Sequence, residues 1–300
     1  MENIFSLFEK FLQAERSYSP NTVEAYLRDV KGFFAFSGLT EQDIPSISKA
    51  QIRKWLAFCQ KEGAKRTTLN RKLASLRTFF KFLIRENITQ TNPAAGVKTG
   101  GIDKKLPAYL SVDQTFAMLD DSGKTFIDVR DKAILELLYS TGLRVGELVS
   151  LDLDQLNFEP EMIKVKGKGS KERIVPFGTN AKRALIAYFP YREQLLEKRG
   201  RLNEPALFIN RLGSRLTARS VQRMVQKKAL KAGIIKKVTP HTLRHAMASH
   251  MLESGADLKT IQDILGHASL ATTQIYTHID MAGLSAIYDK AHPRARKKKS

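Results

Sequence analysis

The sequence predicts a mainly α-helical protein in two parts: an N-terminal helical bundle, then a larger, mostly helical domain carrying one small antiparallel β-sheet. Three observations predict it. Apolar residues recur at helical spacing through residues 20–85, residues 92–110 break that period, and residues 162–176 alternate like strands around a glycine turn before helical spacing resumes. At 300 residues the chain is longer than one small core comfortably holds, so two domains are expected.

Ser19-Pro20-Asn21-Thr22 reads as a helix start, with Val23, Tyr26, Leu27, Val30, Phe33 and Phe34 following at helical spacing. A second helix runs from Lys49 through Trp55 and Phe58. A third opens at Thr67 and places Leu69, Leu73, Leu76, Phe80 and Leu83 on one stripe. Its other face carries Arg71, Lys72, Arg77, Lys81 and Arg85. A charge run is usually a solvated face, but here the sign is so nearly uniform that a phosphate-facing surface fits about as well. Arg71, Lys72, Arg77 and Lys81 are therefore candidate nucleic-acid contacts.

Asn92-Pro93, Gly96, Gly100-Gly101, Lys104-Lys105 and Pro107 make a linker-like stretch. The expected division is a helical domain over 1–91, a linker over 92–110 and a second domain over 111–300. In the second domain, Ser111 caps a helix, and an apolar helix from Arg130 to Tyr139 ends at Gly142. Met162–Lys166 and Lys171–Pro176 form a hairpin about Gly167-Lys168-Gly169-Ser170. Helical spacing returns from Thr179, interrupted near Ala206–Ile209, and a helix over Leu216–Leu230 carries Arg215, Arg219 and Arg223 as further candidate DNA contacts. Arg294 to Lys299 reads as a short, mobile basic tail.

Composition narrows the partner. Fifty Lys and Arg against 30 Asp and Glu give a net charge of +20, split as 16 basic against 9 acidic residues in 1–100 and 34 against 21 beyond. An excess of this size in both parts favours a polyanion, because each neutralised phosphate releases counterions. One cysteine, Cys59, excludes an internal disulfide or a cysteine-based zinc site, and it reads as core filler. No apolar run is long enough to span a bilayer and no secretory signal is visible, so a cytoplasmic protein without membrane insertion is expected.

Five segments carry chemistry-bearing residues. In Thr239-Pro240-His241-Thr242-Leu243-Arg244-His245, Thr239 suits an N-cap and Pro240 the first helical position. His241 and Arg244 then lie one turn apart near free N–H groups that favour an anion; an exposed capping turn is the equally weighted alternative. His241 and His245 have the spacing of helical zinc ligands, but Thr242 stands where a zincin needs glutamate, so no metal is expected. In Thr141-Gly142-Leu143-Arg144-Val145-Gly146-Glu147, Arg144 and Glu147 are spaced for a salt bridge. The hairpin lysines 166, 168 and 171 could each reach a neighbouring groove. Leu265-Gly266-His267-Ala268-Ser269 and Thr273-Gln274-Ile275-Tyr276-Thr277-His278 complete the set.

Taken together, Arg144 in TGLRVGEL, Lys168 in GKGSKER, His241 and Arg244 in HTLRH, His267 in LGHAS and Tyr276 in TTQIYTH resemble the catalytic set of the tyrosine recombinases, in the same order and spacing. The likeness is to the Xer branch of that phage integrase family and spans essentially the whole chain. It implies a SAM-like core-binding domain ahead of a catalytic one. It implies that Tyr276 attacks a DNA phosphate to form a 3′-phosphotyrosyl bond and that Arg144, Arg244 and His267 hold the non-bridging oxygens. Lys168 would act as general acid, and His241 would assist proton transfer from Tyr276. No cofactor, metal or ATP is implied. The implied partners are a double-stranded recombination site, three further protomers in a homo- or heterotetramer with a second Xer-type recombinase, and a DNA translocase at the division septum. The implied role is resolution of chromosome or plasmid dimers through a Holliday junction. An apolar stripe through Leu284, Ile287 and Tyr288 would dock on a neighbouring protomer. The rival readings are a mobile-element integrase of the same family, a non-catalytic duplex-binding protein, and a metal-dependent nuclease using His241 and His245.

Overall fold

The computed structural model describes residues 3–14, 18, 20–99, 109–120, 123–166, 172–266 and 288–295. The chain divides into two compact units, Met1–Leu106 and Pro107–Ser300. Among the described residues no helix is long and apolar enough to cross a membrane.

Among its described residues the N-terminal unit has four α-helices: α1 (Ile4–Ala14), α2 (Pro20–Ser37), α3 (Lys49–Lys61) and α4 (Arg66–Arg85). Ser48 starts α3 with a capping box, its Oγ accepting from the Gln51 amide while Gln51 Oε1 accepts from the Ser48 amide at 2.7 Å. The predicted stripe of α4 is buried, and aromatic rings fill the space it faces, with Phe8 edge-on to Phe79 at 5.0 Å. Cys59 is buried and unpaired. Within this core Asp29 is 1% exposed, and its carboxylate takes Arg71, the Ser75 hydroxyl at 2.9 Å and Lys72 at 3.5 Å. The Lys72 ammonium also sits 4.7 Å over the Trp55 ring.

Residues 92–99 pack back on this unit rather than beginning a linker. Ala94 and Val97 are buried, and Arg77 donates to the carbonyls of Ala94 (3.1 Å) and Val97 (2.6 Å) while Asn92 donates to the Arg77 carbonyl. Two apolar anchors without a period carry no sequence signal; the guanidinium that satisfies the turn's carbonyls holds it.

The second unit is built around α6 (Phe126–Thr141), buried on every side over residues 133–141, as an all-round apolar helix must be. Against it lie α5 (Val112–Leu119), α8 (Thr179–Arg199) and α10 (Pro240–Glu253). Further α-helices among the described residues are α7 (Val145–Ser150), α9 (Ala218–Lys231) and α11 (Leu258–Leu265). The sheet has order β1-β2-β3 and is antiparallel: β1 (Leu156–Asn157), which the sequence did not announce, pairs with β2 (Met162–Lys166), and β2 pairs with β3 (Glu172–Pro176) in the register Val165 opposite Arg173.

The chain's last described stretch corrects two expectations. Tyr288 does not present an apolar face to another protomer. It is 1% exposed in this unit's own core, bonded through its hydroxyl to Ser140 Oγ at 2.6 Å and stacked 4.7 Å from His292. Leu284 and Ile287 lie outside the described residues. Arg294, expected in a mobile tail, is drawn into the fold: it pairs with Glu136, which is buried on α6, and bonds Asp120 at 3.1 Å. A buried carboxylate needs a partner, and the sequence-distant Arg294 is the one that reaches it. Burial still raises the Glu136 carboxyl above its ordinary value despite Arg294. Arg294→Ala is expected to cost about 3 kcal/mol, the low end for breaking a buried pair, because Glu136 can take up a proton instead. Thermal denaturation at neutral pH measures this, and an unchanged melting temperature would refute the assignment.

Candidate active site

Local chemistry brings three of the predicted residues to one place. Gly142 ends α6 in the left-handed conformation at φ +60°, and a Cβ there would stand 2.7 Å from Leu265 Cδ2. The turn it allows places Arg144 at the N-cap of α7. The Arg144 amide donates to Glu147 Oε2 at 2.8 Å, and its Nη1 donates to Glu147 Oε1 at 2.9 Å. The predicted Arg144–Glu147 pair therefore forms, and half of the Arg144 side chain stays exposed.

Arg244 comes from α10. Thr239 caps this helix through the Thr242 amide at 3.2 Å, with Pro240 in the first turn. Arg244 is buried and donates from Nη1 to the Gly142 carbonyl at 2.5 Å and from Nη2 to the Leu265 carbonyl at 2.7 Å. The next carbonyl along, that of Gly266, accepts from Arg144 Nη2 at 3.4 Å. Two guanidinium groups are thus held side by side on consecutive carbonyls at the end of α11, each with further N–H donors to offer. Burial, with the Arg144 charge adding to it, pushes Arg244 down to about 10.

His241 is exposed, and its Nε2 lies 2.9 Å from Nε2 of His245. Partial burial, then the charges of His245, Arg244 and Arg144, hold its imidazole below the ordinary value, so it is neutral and able to accept a proton at neutral pH. Among the described residues no cluster of three or more His, Cys, Asp or Glu side chains could hold a metal ion. Lys168, His267 and Tyr276 lie outside the described residues.

Sequence reasoning missed Arg173. It donates from Nη1 to Glu147 Oε1 and from Nη2 to Oε2, both at 2.9 Å. Burial alone would raise the Glu147 carboxyl; the bonds and charge of Arg173, then those of Arg144, outweigh it and hold the group below the usual carboxylate range. The signal was present: strand alternation puts Arg173 on the face of Val175, which is buried, so a charged residue was due to point inward.

The candidate DNA contacts separate into two groups. Arg71, Lys72 and Arg77 have the intramolecular partners given above. Arg215 precedes α9 rather than riding on it, because Thr217 caps that helix through the Ser220 amide. Its guanidinium bonds the carbonyls of Val149 and Leu151 and the Asp152 carboxylate. Lys81, Arg219 and Arg223 are exposed, the last two one turn apart on α9.

A cluster of fixed guanidiniums beside a neutral imidazole suits phosphodiester chemistry, since its donors can meet charge developing on phosphate oxygens. The phage integrase family model matches residues 108–282, and the model of the phage integrase N-terminal SAM-like domain matches residues 5–87. The chain is 44% identical over 291 residues to tyrosine recombinase XerC of Thermodesulfovibrio yellowstonii, covering 96% of each. It is 43% identical over 293 residues to tyrosine recombinase XerD of Oceanobacillus iheyensis, covering 96% of this chain and 97% of that one. Its fold is that of the XerH site-specific recombinase in a post-cleavage complex with a palindromic difH substrate, at TM-score 0.70 and 22% identity over 95% of this chain and 84% of that one. The chain belongs to the phage integrase family, as a site-specific tyrosine recombinase of the Xer type.

Proposed function

We propose that this recombinase cuts and rejoins duplex DNA at a chromosomal or plasmid site that resolves dimers at cell division, with Tyr276 as its nucleophile. The Tyr276 oxygen attacks phosphorus, the bond to the 5′ oxygen breaks, and a 3′-phosphotyrosyl link remains. The phenol proton passes to His241, and Lys168 protonates the leaving 5′ oxygen. Arg144, Arg244 and His267 hold the non-bridging oxygens as charge develops on them. The phosphotyrosyl bond keeps the energy of the phosphodiester, so attack by a second 5′-hydroxyl rejoins strands without ATP.

The observation that carries this reading is the seating of Arg144 and Arg244 on the consecutive carbonyls of Gly266 and Leu265. Two fixed forks next to each other suit the two non-bridging oxygens of one phosphate. His267 is next in the chain after Gly266, and Lys168 lies between β2 and β3, whose last strand supplies Arg173. We further propose that four protomers act on two duplexes, in company with a second Xer-type recombinase and a DNA translocase at the septum. Lys81, Arg219 and Arg223 would meet phosphates there, and Arg71, Lys72, Arg77 and Arg215 would hold the surfaces that do.

The test is a nicked duplex carrying a candidate dimer-resolution site, incubated with the full chain in EDTA. The expected result is an adduct stable to denaturation, with the DNA 3′ end on the peptide that contains Tyr276. Binding without an adduct would favour the non-catalytic reading. Cleavage only with added divalent metal would favour a nuclease built on His241 and His245.

A further inference from the structure

Resting on the recombinase reading above, we propose that Arg173 is a positioning residue for the reaction: through Glu147 it sets the attitude of Arg144, and it braces the β2–β3 hairpin against the C-terminal end of α11. It touches no reacting atom. Its effect is exerted through groups that do.

The bonding of Glu147 makes the case. Each carboxylate oxygen is shared by the same two arginines. Oε1 takes Nη1 of Arg173 and Nη1 of Arg144, both at 2.9 Å, and Oε2 takes Nη2 of Arg173 at 2.9 Å and the Arg144 amide at 2.8 Å. A carboxylate held by only Arg144 could swing about its own side-chain bonds and carry the arginine with it. The second fork, coming from a strand, removes that freedom. Lysine could not substitute, since one ammonium cannot span two oxygens in the plane of the carboxylate.

The other side of the Arg173 guanidinium meets α11. A Cβ on Gly266 would stand 2.8 Å from Arg173 Nε and 2.9 Å from Cδ, so the absence of a side chain is what lets the two approach. Gly266 is also in the left-handed conformation, φ +64°, and its carbonyl is the one that seats Arg144. Arg173 therefore contacts both supports of Arg144, the carboxylate and the backbone turn. The Arg173 Nε is buried without a hydrogen-bond partner among the described residues.

The experiment uses the full chain on the nicked duplex and compares wild type, Arg173→Lys, Arg144→Lys and the double variant. Duplex affinity and melting temperature are read beside the single-turnover rate of adduct formation. Arg173→Lys is expected to bind duplex as wild type does and to form adduct roughly 10–100-fold more slowly, the scale of a displacement approaching 1 Å at a reacting centre. In the Arg144→Lys background the same change is expected to add less than about 3-fold, because the arginine it positions is already gone. For Arg173→Ala, guanidinium ion at millimolar concentration is expected to restore part of the rate. A merely structural role predicts the opposite pattern, a lowered melting temperature and equal losses in both backgrounds, and that result overturns the proposal. So does a wild-type rate in Arg173→Lys. If wild type itself forms no adduct, the recombinase reading fails and this inference with it.

Discussion

Arg244→Ala is expected to slow single-turnover adduct formation by roughly 10²–10³-fold, the loss that follows removal of one preorganised charge-stabilising donor. Affinity for duplex is expected to change little, because it is spread over many phosphate contacts. Stability is where opposing effects meet. The substitution strips donors from the Gly142 and Leu265 carbonyls, which cost about 1–3 kcal/mol each when left buried and open. It also removes a buried cation that lies beside Arg144 and whose pKa burial has already pushed down to about 10. A base with a depressed pKa works against the fold at every pH below that value, so its removal offsets part of the loss. Rate should therefore fall far more than melting temperature. Arg244→Lys tests the geometry, since one ammonium cannot serve two carbonyls and a phosphate together. A lysine variant within threefold of wild type would show that charge alone suffices.

Much of this arrangement was legible in the sequence, and the reasons differ from part to part. The α4 stripe and the α10 cap were readable because helical period and capping chemistry are local. The hairpin was readable because period two about a glycine turn is local as well. Arg144 and Arg244 could be named from their motifs, but nothing local says that they seat on adjacent carbonyls of α11, more than twenty residues beyond the nearer of them. Residues 92–99 illustrate the reverse failure. Their composition is that of a linker, and only the three-dimensional reach of Arg77 makes them part of a core.

Basic residues were the hardest to sort. Arg71, Lys72 and Arg77 share a helix face with Lys81, and sequence gives all four one meaning. The structure finds a buried carboxylate for two of them and a set of carbonyls for the third. Arg294 was assigned to a tail by the same logic, and Glu136 draws it inward. In a chain of net charge +20 the buried carboxylates and the open backbone carbonyls decide which cations are structural, and both are invisible until the fold is known.

Glu147 is the clearest of these, and Glu147→Gln is expected to cost roughly 3–5 kcal/mol, the range for breaking a buried, hydrogen-bonded ion pair. Glutamine keeps the volume, so packing is not the variable. Its one carbonyl oxygen can still accept from both arginines, as Oε1 does now, but the amide nitrogen in place of Oε2 accepts from neither, and no charge is left against the three guanidiniums of Arg144, Arg173 and Arg244, which then face one another across a partly buried site. The cost has a pH signature. The folded carboxyl lies below its ordinary value of 4.5, so its contribution is fully present above that value and is lost as pH falls through the folded pKa. The melting-temperature gap between wild type and Glu147→Gln should therefore stay constant from neutral pH down to about 5 and close only in stronger acid, where wild type also loses the charge. Adduct formation should fall with stability, since Arg144 depends on the same carboxylate for its position. A gap that is absent at neutral pH, or one that persists unchanged in acid, would mean that the charge of Glu147 is not what holds the arginines together.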